Sequence, residues 1–301
     1  MKKIISLLLF VFTGILMADQ IDIAVSEGTD QRVVETLIPQ PAEVEADANV
    51  TIKAIFSKAL NPMTVRRSVM LKKLNKEKQK SFFGFFKGKR DERVSGKVSY
   101  DANSYTVSFK PDNPLEVGFY EVSFRHLMTR NPGRDMRIKP ITYRFYVPEV
   151  INGFKLPPEP DEDKNNETLL GIDFNHNGIR DDVERTIIKK YNDKIKVNLM
   201  FQYARIDQKI LGSELTKEKA LELEAEGGKA INCEMYLSDF NISIEHSVRE
   251  SEELTYNIKK RAKKYIEYNR LLGGGVYGSK VSDWNADACE FDVESMLEER
   301  Q

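Results

Sequence analysis

The alternation of hydrophobic and polar positions divides the 301-residue chain into two parts with different periods. Up to about residue 147, apolar residues alternate with polar ones, which is typical of strands with one buried face. Turn-forming residues such as Asn61-Pro62 and Asn131-Pro132-Gly133 separate the alternating runs. About seven short strands over so short a stretch predict a β-sandwich. The clearest runs are 50–56, 69–74, 94–100, 105–109, 119–124 and 141–147.

From Asp182 onward, apolar residues recur every three or four positions, which predicts amphipathic helices. Further helical segments are predicted at 217–236 and 245–272. The last ends at Gly273-Gly274-Gly275, a glycine run typical of a helix stop. The predicted fold is therefore multidomain, with an N-terminal all-β sandwich and a C-terminal, mainly α-helical domain.

A proline- and acid-rich segment, residues 156–163, lies where the period changes and is typical of a semi-rigid linker. The charge changes sign at the same place. Residues 31–147 carry 22 Lys and Arg against 12 Asp and Glu, whereas residues 148–301 carry 22 against 31. We therefore expect the sandwich at 30–148, a linker at 149–168, and a calcium loop with the helical domain at 169–301.

The N-terminus has the three parts of a secretory signal peptide. Lys2 and Lys3 precede an apolar run at 4–12, and Ala18 provides a small residue for cleavage. The alternative is a membrane anchor, but the run is shorter than the roughly 20 residues that span a bilayer. We expect a signal peptide at 1–18 and a mature protein without a transmembrane segment, in the bacterial periplasm or at the cell surface.

The two cysteines, Cys233 and Cys289, are too few for a disulfide-dense small protein or a multi-cysteine metal module. In an oxidising compartment, the pair predicts a disulfide bond. Two buried free thiols are the alternative. A loop of about 57 residues would be closed by the bond, which the chain-entropy model values at about 4 kcal/mol.

Residues 173–184 have the spacing of a twelve-residue calcium loop, with oxygen-bearing positions around a central glycine, Gly178. The predicted Ca²⁺ ligands are Asp173, Asn175, Asn177, the backbone carbonyl of Ile179, Asp181 and Glu184. The segment resembles EF-hand-like loops and, more closely, thrombospondin type 3 repeats. The alternative is a series of Asx turns that starts a helix.

Several short sequence motifs follow one another in a characteristic order along the first half of the chain. They include Ile38-Pro39-Gln40-Pro41, Phe56-Ser57-Lys58-Ala59-Leu60-Asn61-Pro62-Met63-Thr64 and Pro114-Leu115-Glu116-Val117-Gly118. This order resembles the bacterial Ig-like domain of S-layer and other surface proteins, over about residues 30–148. The resemblance implies a non-catalytic spacer or adhesion module.

Four phenylalanines lie among basic residues at 81–90. They are Phe82, Phe83, Phe85 and Phe86. One interpretation is an exposed loop that binds a membrane surface or a partner. The other is a hairpin whose rings fold back onto the sandwich.

The remaining motifs assign no catalytic residue and no organic cofactor. The basic run 259–264 lies in an acidic, exported half, so we interpret it as a solvated helix face rather than a nucleic-acid site. The segment from Leu156 into the calcium loop also resembles uncharacterised exported bacterial proteins. We expect a calcium-stabilised, non-catalytic envelope or cell-surface binding protein, whose partner is an envelope protein or polysaccharide. The alternative is a hydrolase of envelope polymers with an accessory Ig-like module.

Overall fold

The computed structural model describes residues 33–75, 91–131, 133–275, 277–278 and 280–300. The predicted signal peptide and the Phe82–Phe86 loop lie outside these residues. Strands occupy the described chain up to Leu156, and helices dominate it from Glu162 to Glu298. The predicted fold class, an all-β region followed by a mainly helical region, is confirmed.

The strands are short, as the turn-rich sequence predicts. They are β1 (Val34–Ile38), β2 (Ile52–Phe56), β3 (Val69–Lys73), β4 (Glu92–Arg93), β5 (Gly96–Asp101), β6 (Thr106–Pro111), β7 (Gly118–Phe124), β8 (Met128–Thr129), β9 (Met136–Arg137), β10 (Ile141–Val147), β11 (Glu149–Ile151) and β12 (Phe154–Leu156).

Two four-stranded sheets form the β-sandwich, with strand orders β1-β2-β6-β5 and β10-β7-β3-β4. Strands β8–β9 and β11–β12 form two further two-stranded pairs. Buried and exposed side chains alternate along the first residues of β2: Ile52 and Ala54 are buried, and Lys53 between them is exposed. Its antiparallel register with β6 sets Ile52 opposite Phe109. The predicted sandwich is confirmed, while its assignment to the Ig-like type stays a prediction.

The helices follow the 3.6-residue period of the second half. In the described residues they are α2 (Glu162–Asn165), α3 (Asp181–Lys190), α4 (Lys194–Gly212), α5 (Lys217–Ser238), α6 (Ser247–Thr255), α7 (Lys259–Leu272) and α8 (Val293–Glu298), after a single turn, α1 (Pro62–Val65), in the sandwich. Two 3₁₀ turns, Val281–Asp283 and Ala286–Ala288, precede α8.

Two of the predicted helices are broken in the structure, each for a local reason. The predicted helix that contains Val183 ends at Lys190. Asp193 caps a new helix there by accepting the backbone N–H of Ile195. The segment 245–272 divides into α6 and α7 at Tyr256, whose hydroxyl donates to Asp207 on α4. Periodicity does not detect such breaks, since the apolar spacing continues through them.

Helix α4 is the centre of the helical core. Its buried residues include Leu199, Met200 and Ala204, which join α3, α5 and the segment near Ala288 in the larger apolar cluster. A smaller cluster forms where Ile206 and Ile210 meet α5 and α7; its other buried members are Ala220, Leu223, Tyr268 and Leu272. The sides of α4 therefore hold most of the helical domain together.

The chain falls into two compact units. The first comprises the described parts of Met1–Ala42, Ile52–Lys110 and Glu121–Arg144, and the second comprises Glu43–Thr51, Pro111–Tyr120 and the described part of Phe145–Gln301. The domain limits given by the sequence stay a prediction. A search of the described residues finds no helix with the length and apolar character needed to cross a bilayer.

Candidate functional site

The loop before α3 closes on itself through Asx turns. The carboxylate of Asp173 accepts the backbone N–H groups of Asn177 and Gly178, at 3.2 and 2.9 Å. Oδ1 of Asn175 accepts the Asn177 N–H, and Oδ1 of Asn177 accepts the Ile179 N–H at 2.9 Å. The oxygens expected to face a cation are thus bonded to the loop's own backbone.

The calcium prediction is wrong. Among the described residues, no three His, Cys, Asp or Glu side chains form a group that could hold a metal ion. The two remaining carboxylates of the loop are also occupied: that of Asp181 accepts the Phe174 N–H at 3.1 Å, and that of Glu184 accepts the amide of Asn175 at 3.2 Å. The alternative interpretation, Asx turns that lead into a helix, describes the segment.

Burial sets the protonation of these carboxyl groups. Burial raises the pKa of Asp181 to about 8 and that of Glu184 to about 7, and it also raises the pKa of Asp173. Hydrogen bonds from the loop partly offset the burial in each case. Asp181 and Glu184 lie in the first turn of α3, where the N-terminal dipole favours acidic residues.

Two fully buried arginines, Arg180 and Arg261, hold the segments around this loop together. Arg180, the residue before α3, is 0% exposed and donates to both carboxylate oxygens of Asp182. It also donates to the backbone carbonyls of Leu254 and Thr255 at the end of α6, at 2.9 and 3.1 Å. A buried guanidinium needs such a full set of acceptors, because an unpaired buried charge is strongly unfavourable.

Arg261 on α7 is the second arginine and is also 0% exposed. Its guanidinium donates five hydrogen bonds into the segment around α2 and to Asn257, of 2.6 to 3.3 Å. The acceptors are the carbonyls of Asn165, Thr168 and Leu169 and the Oδ1 atoms of Asn166 and Asn257. Burial, and then the nearby Arg180, lower the pKa of Arg261 to about 10, so it remains charged at neutral pH.

Gly171 allows the chain to pass close to Arg180. Its φ is +68°, in the left-handed region that favours glycine. A Cβ atom at this position would collide with Cδ of Arg180 and with Oδ1 of Asn165. The glycine therefore meets both a conformational and a steric requirement.

A polar cleft of about 340 Å³ opens beside the two arginines, between α2, the first turns of α3 and Asn257. Its amide groups belong to Asn165, Asn166 and Asn257, and its charged groups include Glu162, Arg185 and Lys189. Asn165 is only 3% exposed. Such a lining suits a small polar ligand rather than an apolar one.

Sequence reasoning missed the polar cleft and misplaced Arg261. The basic run 259–264 was expected to be a solvated face, yet Arg261 within it is fully buried. Asn257 lies about 90 positions after Asn165 and Asn166 along the chain, and only the fold brings it to them. The one available signal was the Asn165-Asn166 pair inside the predicted linker, after its proline- and acid-rich part.

The predicted disulfide is confirmed. Cys233 on α5 is bonded to Cys289 across a sequence separation of 56, and Cys233 is 0% exposed. Gln202 of α4 fixes the same region, because its amide donates to the carbonyl of Ala288 at 2.8 Å and accepts the N–H of Glu290. The bridge therefore ties the C-terminal segment to the helical core.

Asp207 lies away from the polar cleft in a hydroxyl network of the helical unit. Ser251 donates to its Oδ2 at 2.5 Å and Tyr256 to its Oδ1 at 2.9 Å. Burial raises the pKa of Asp207 to about 7, with a further rise from Glu252, while the two hydroxyl donors act in the opposite direction. The carboxyl therefore takes up a proton on folding at mildly acidic pH.

We expect Asp207→Asn to make the dependence of stability on pH less steep. Between about pH 4 and pH 7, the folded state holds a proton at Asp207 that the unfolded state lacks, so this group alone lowers stability by about 1.4 kcal/mol per unit as pH rises, in addition to the effects of Asp181 and Glu184. Urea unfolding at several pH values measures this slope. The exposed control Asp239→Asn should keep the wild-type slope; equal slopes in all three proteins would refute the assignment.

No protein-family model matches this chain. A search of curated proteins found no match either. The chain does resemble some solved structures in part.

PcoC, a methionine-rich copper resistance protein from Escherichia coli, is 18% identical, with a TM-score of 0.29, over 38% of this chain and 96% of that one. CopC from Methylosinus trichosporium OB3b is 16% identical, with a TM-score of 0.27, over 38% and 91%. The S-layer protein rSbsC(31-844) is 14% identical, with a TM-score of 0.24, over 42% of this chain and 14% of that one. Similarity at this level says nothing about the ligands or partners of the present chain.

Proposed function

We propose that this chain is an exported, non-catalytic protein of the bacterial cell envelope, and that it acts by binding a polar ligand in the cleft beside Arg261. The observation that carries the proposal is the chemistry of the polar cleft. Three of its side chains are asparagine amides, which form hydrogen bonds but do not exchange protons at physiological pH. The cleft is therefore suited to holding a ligand.

The carboxylates of the polar cleft support binding over hydrolysis. Glycoside hydrolysis generally uses two carboxyl groups that flank the bond to be broken. Both oxygens of Asp182 accept from Arg180, and Glu159 lies 3.9 Å from Arg185. Glu162 is the one carboxylate of the cleft without an ion pair in the described chain.

Two further features support export. The disulfide of the helical core belongs to the kind of bond that persists in oxidising compartments and is rare in the cytosol. Lys2, Lys3 and the apolar run after them have the pattern of a signal peptide. The β-sandwich then serves as a spacer or adhesion module, as the Ig-like resemblance implies.

The proposal predicts export and wall binding without hydrolysis. The full chain, fused at its C-terminus to a reporter enzyme that is active only after export, should give reporter activity in a bacterial host. The mature protein should co-sediment with purified bacterial cell walls and release no reducing ends from them. An inactive reporter would contradict export, and released reducing ends would favour the hydrolase.

A further inference from the structure

The fold fixes which end of each amide faces the polar cleft. Oδ1 of Asn165 accepts the backbone N–H of Ile172 at 2.9 Å. The Oδ1 atoms of Asn166 and Asn257 both accept from Nη1 of Arg261, at 3.0 and 2.8 Å. Backbone N–H and guanidinium groups are donors only, so an amide oxygen, and not its nitrogen, must face them. The orientation of all three amides follows from this requirement.

The amino groups of these three amides are available to donate hydrogen bonds to a ligand. Within the described chain, the Nδ2 atoms of Asn165, Asn166 and Asn257 donate no hydrogen bond, whereas each Oδ1 accepts one. Asn165 lines the polar cleft, and its amino group is not among the buried polar atoms that lack a partner in the described chain, so it is open to solvent. An amino group that is open to solvent and bonded to no protein group can donate to an oxygen atom of a ligand.

The charged side chains around the polar cleft nearly balance, which suits a neutral ligand. Glu159, Glu162 and Asp182 line it together with Arg185 and Lys189, and the buried Arg180 is paired with Asp182. After the ion pairs to Asp182 and Glu159 are formed, Glu162 and Lys189 are left without a partner in the described chain. These two groups offer one acceptor and one donor, which match the hydroxyl groups of a neutral ligand.

We propose that the polar cleft binds a neutral saccharide unit of an envelope glycan. A sugar hydroxyl accepts from an amide and donates to a carboxylate, and the cleft presents both kinds of group. Its volume of about 340 Å³ is at the lower end of the roughly 300–1,000 Å³ of small-molecule pockets, enough for roughly one or two sugar rings. The envelope as the source of the glycan rests on the proposed function, whereas the sugar chemistry rests on the cleft.

The double variant Asn166→Asp/Asn257→Asp tests this proposal. Aspartate keeps the oxygen that accepts from Arg261, so the brace is preserved, but it lacks the amino donor. Calorimetric titration of the mature protein uses chitotetraose, cellotetraose and maltotetraose. We expect the wild type to bind at least one of them and the variant to bind it about tenfold more weakly or worse, because two hydrogen bonds are lost.

A matched control has the same change of charge outside the polar cleft. Asn192→Asp/Asn241→Asp alters two exposed residues of the same unit and should bind as the wild type does. Unchanged binding in Asn166→Asp/Asn257→Asp would overturn the proposal. So would the absence of binding by all three sugars at about 10 mM, well above a weak Kd of about 1 mM.

Two other results separate this proposal from the proposed function. Tighter binding of a tetra-alanine peptide than of any sugar, lost in Asn166→Asp/Asn257→Asp, would overturn the saccharide assignment and leave envelope binding intact. An inactive export reporter together with amide-dependent sugar binding would overturn the proposed function and support the cleft as a saccharide site.

Discussion

Replacing Arg261 with alanine is expected to destabilise the helical unit by about 3–5 kcal/mol, because several buried acceptors lose their donor and a large buried side chain is removed. The variant leaves the backbone carbonyls of Asn165, Thr168 and Leu169 without the guanidinium that satisfies them. It also opens a cavity where a fully buried side chain stood. Urea unfolding measures the loss of stability.

Two comparisons show that the effect comes from the five acceptors. Arg261→Lys keeps the charge, but one ammonium group does not match the planar array of a guanidinium, so an intermediate loss is expected. Arg249→Ala removes an exposed arginine paired with Glu253 and should cost less than about 1 kcal/mol. If Arg261→Ala were no more destabilising than Arg249→Ala, the bracing role would be refuted.

Removing the disulfide is expected to destabilise the protein by about 4 kcal/mol. The bond between Cys233 and Cys289 closes a long loop in the unfolded chain, and the chain-entropy model gives this value for its length. The double variant Cys233→Ser/Cys289→Ser should therefore unfold at markedly lower urea concentration. Cys233 lies in the core, so serine also buries a hydroxyl there.

Reductant separates the two contributions. It breaks the bridge in the wild type without changing any side chain, and it leaves the double serine variant unaffected. We expect the reduced wild type to lose most of the stability that the variant loses. Equal stability of the oxidised and reduced wild type, with reduction verified by mass, would contradict a stabilising bridge.

Local pattern predicted the elements that depend on local physics. The runs of alternating apolar and polar residues predicted the β-sandwich, because a strand with one buried face needs an apolar residue at every second position. In β2, for example, Ile52 and Ala54 are buried. The recurrence of apolar residues every three or four positions predicted most of the helices in the second half. The disulfide was predictable because two cysteines leave one intramolecular pairing.

The calcium prediction and the placement of Arg261 failed for a common physical reason. The sequence around Asp173 suits both calcium and Asx turns, because both use the same short oxygen-bearing side chains. Arg261 resembled a surface cation because its acceptors lie 92 to 96 positions earlier, apart from Asn257. A chemical group acquires its role from partners that the chain brings together only on folding, and the polar cleft is made in the same way.

The side-chain amide signals of Asn165, Asn166 and Asn257 provide the most direct test of binding in the polar cleft. Nuclear magnetic resonance follows these NH₂ groups while the tetrasaccharide that binds in calorimetry is added to the mature protein. The predicted result is a shift of the three signals with the sugar left intact. Signals that stay unmoved at saturation, or a sugar that is cleaved, would contradict a non-catalytic saccharide site at these amides.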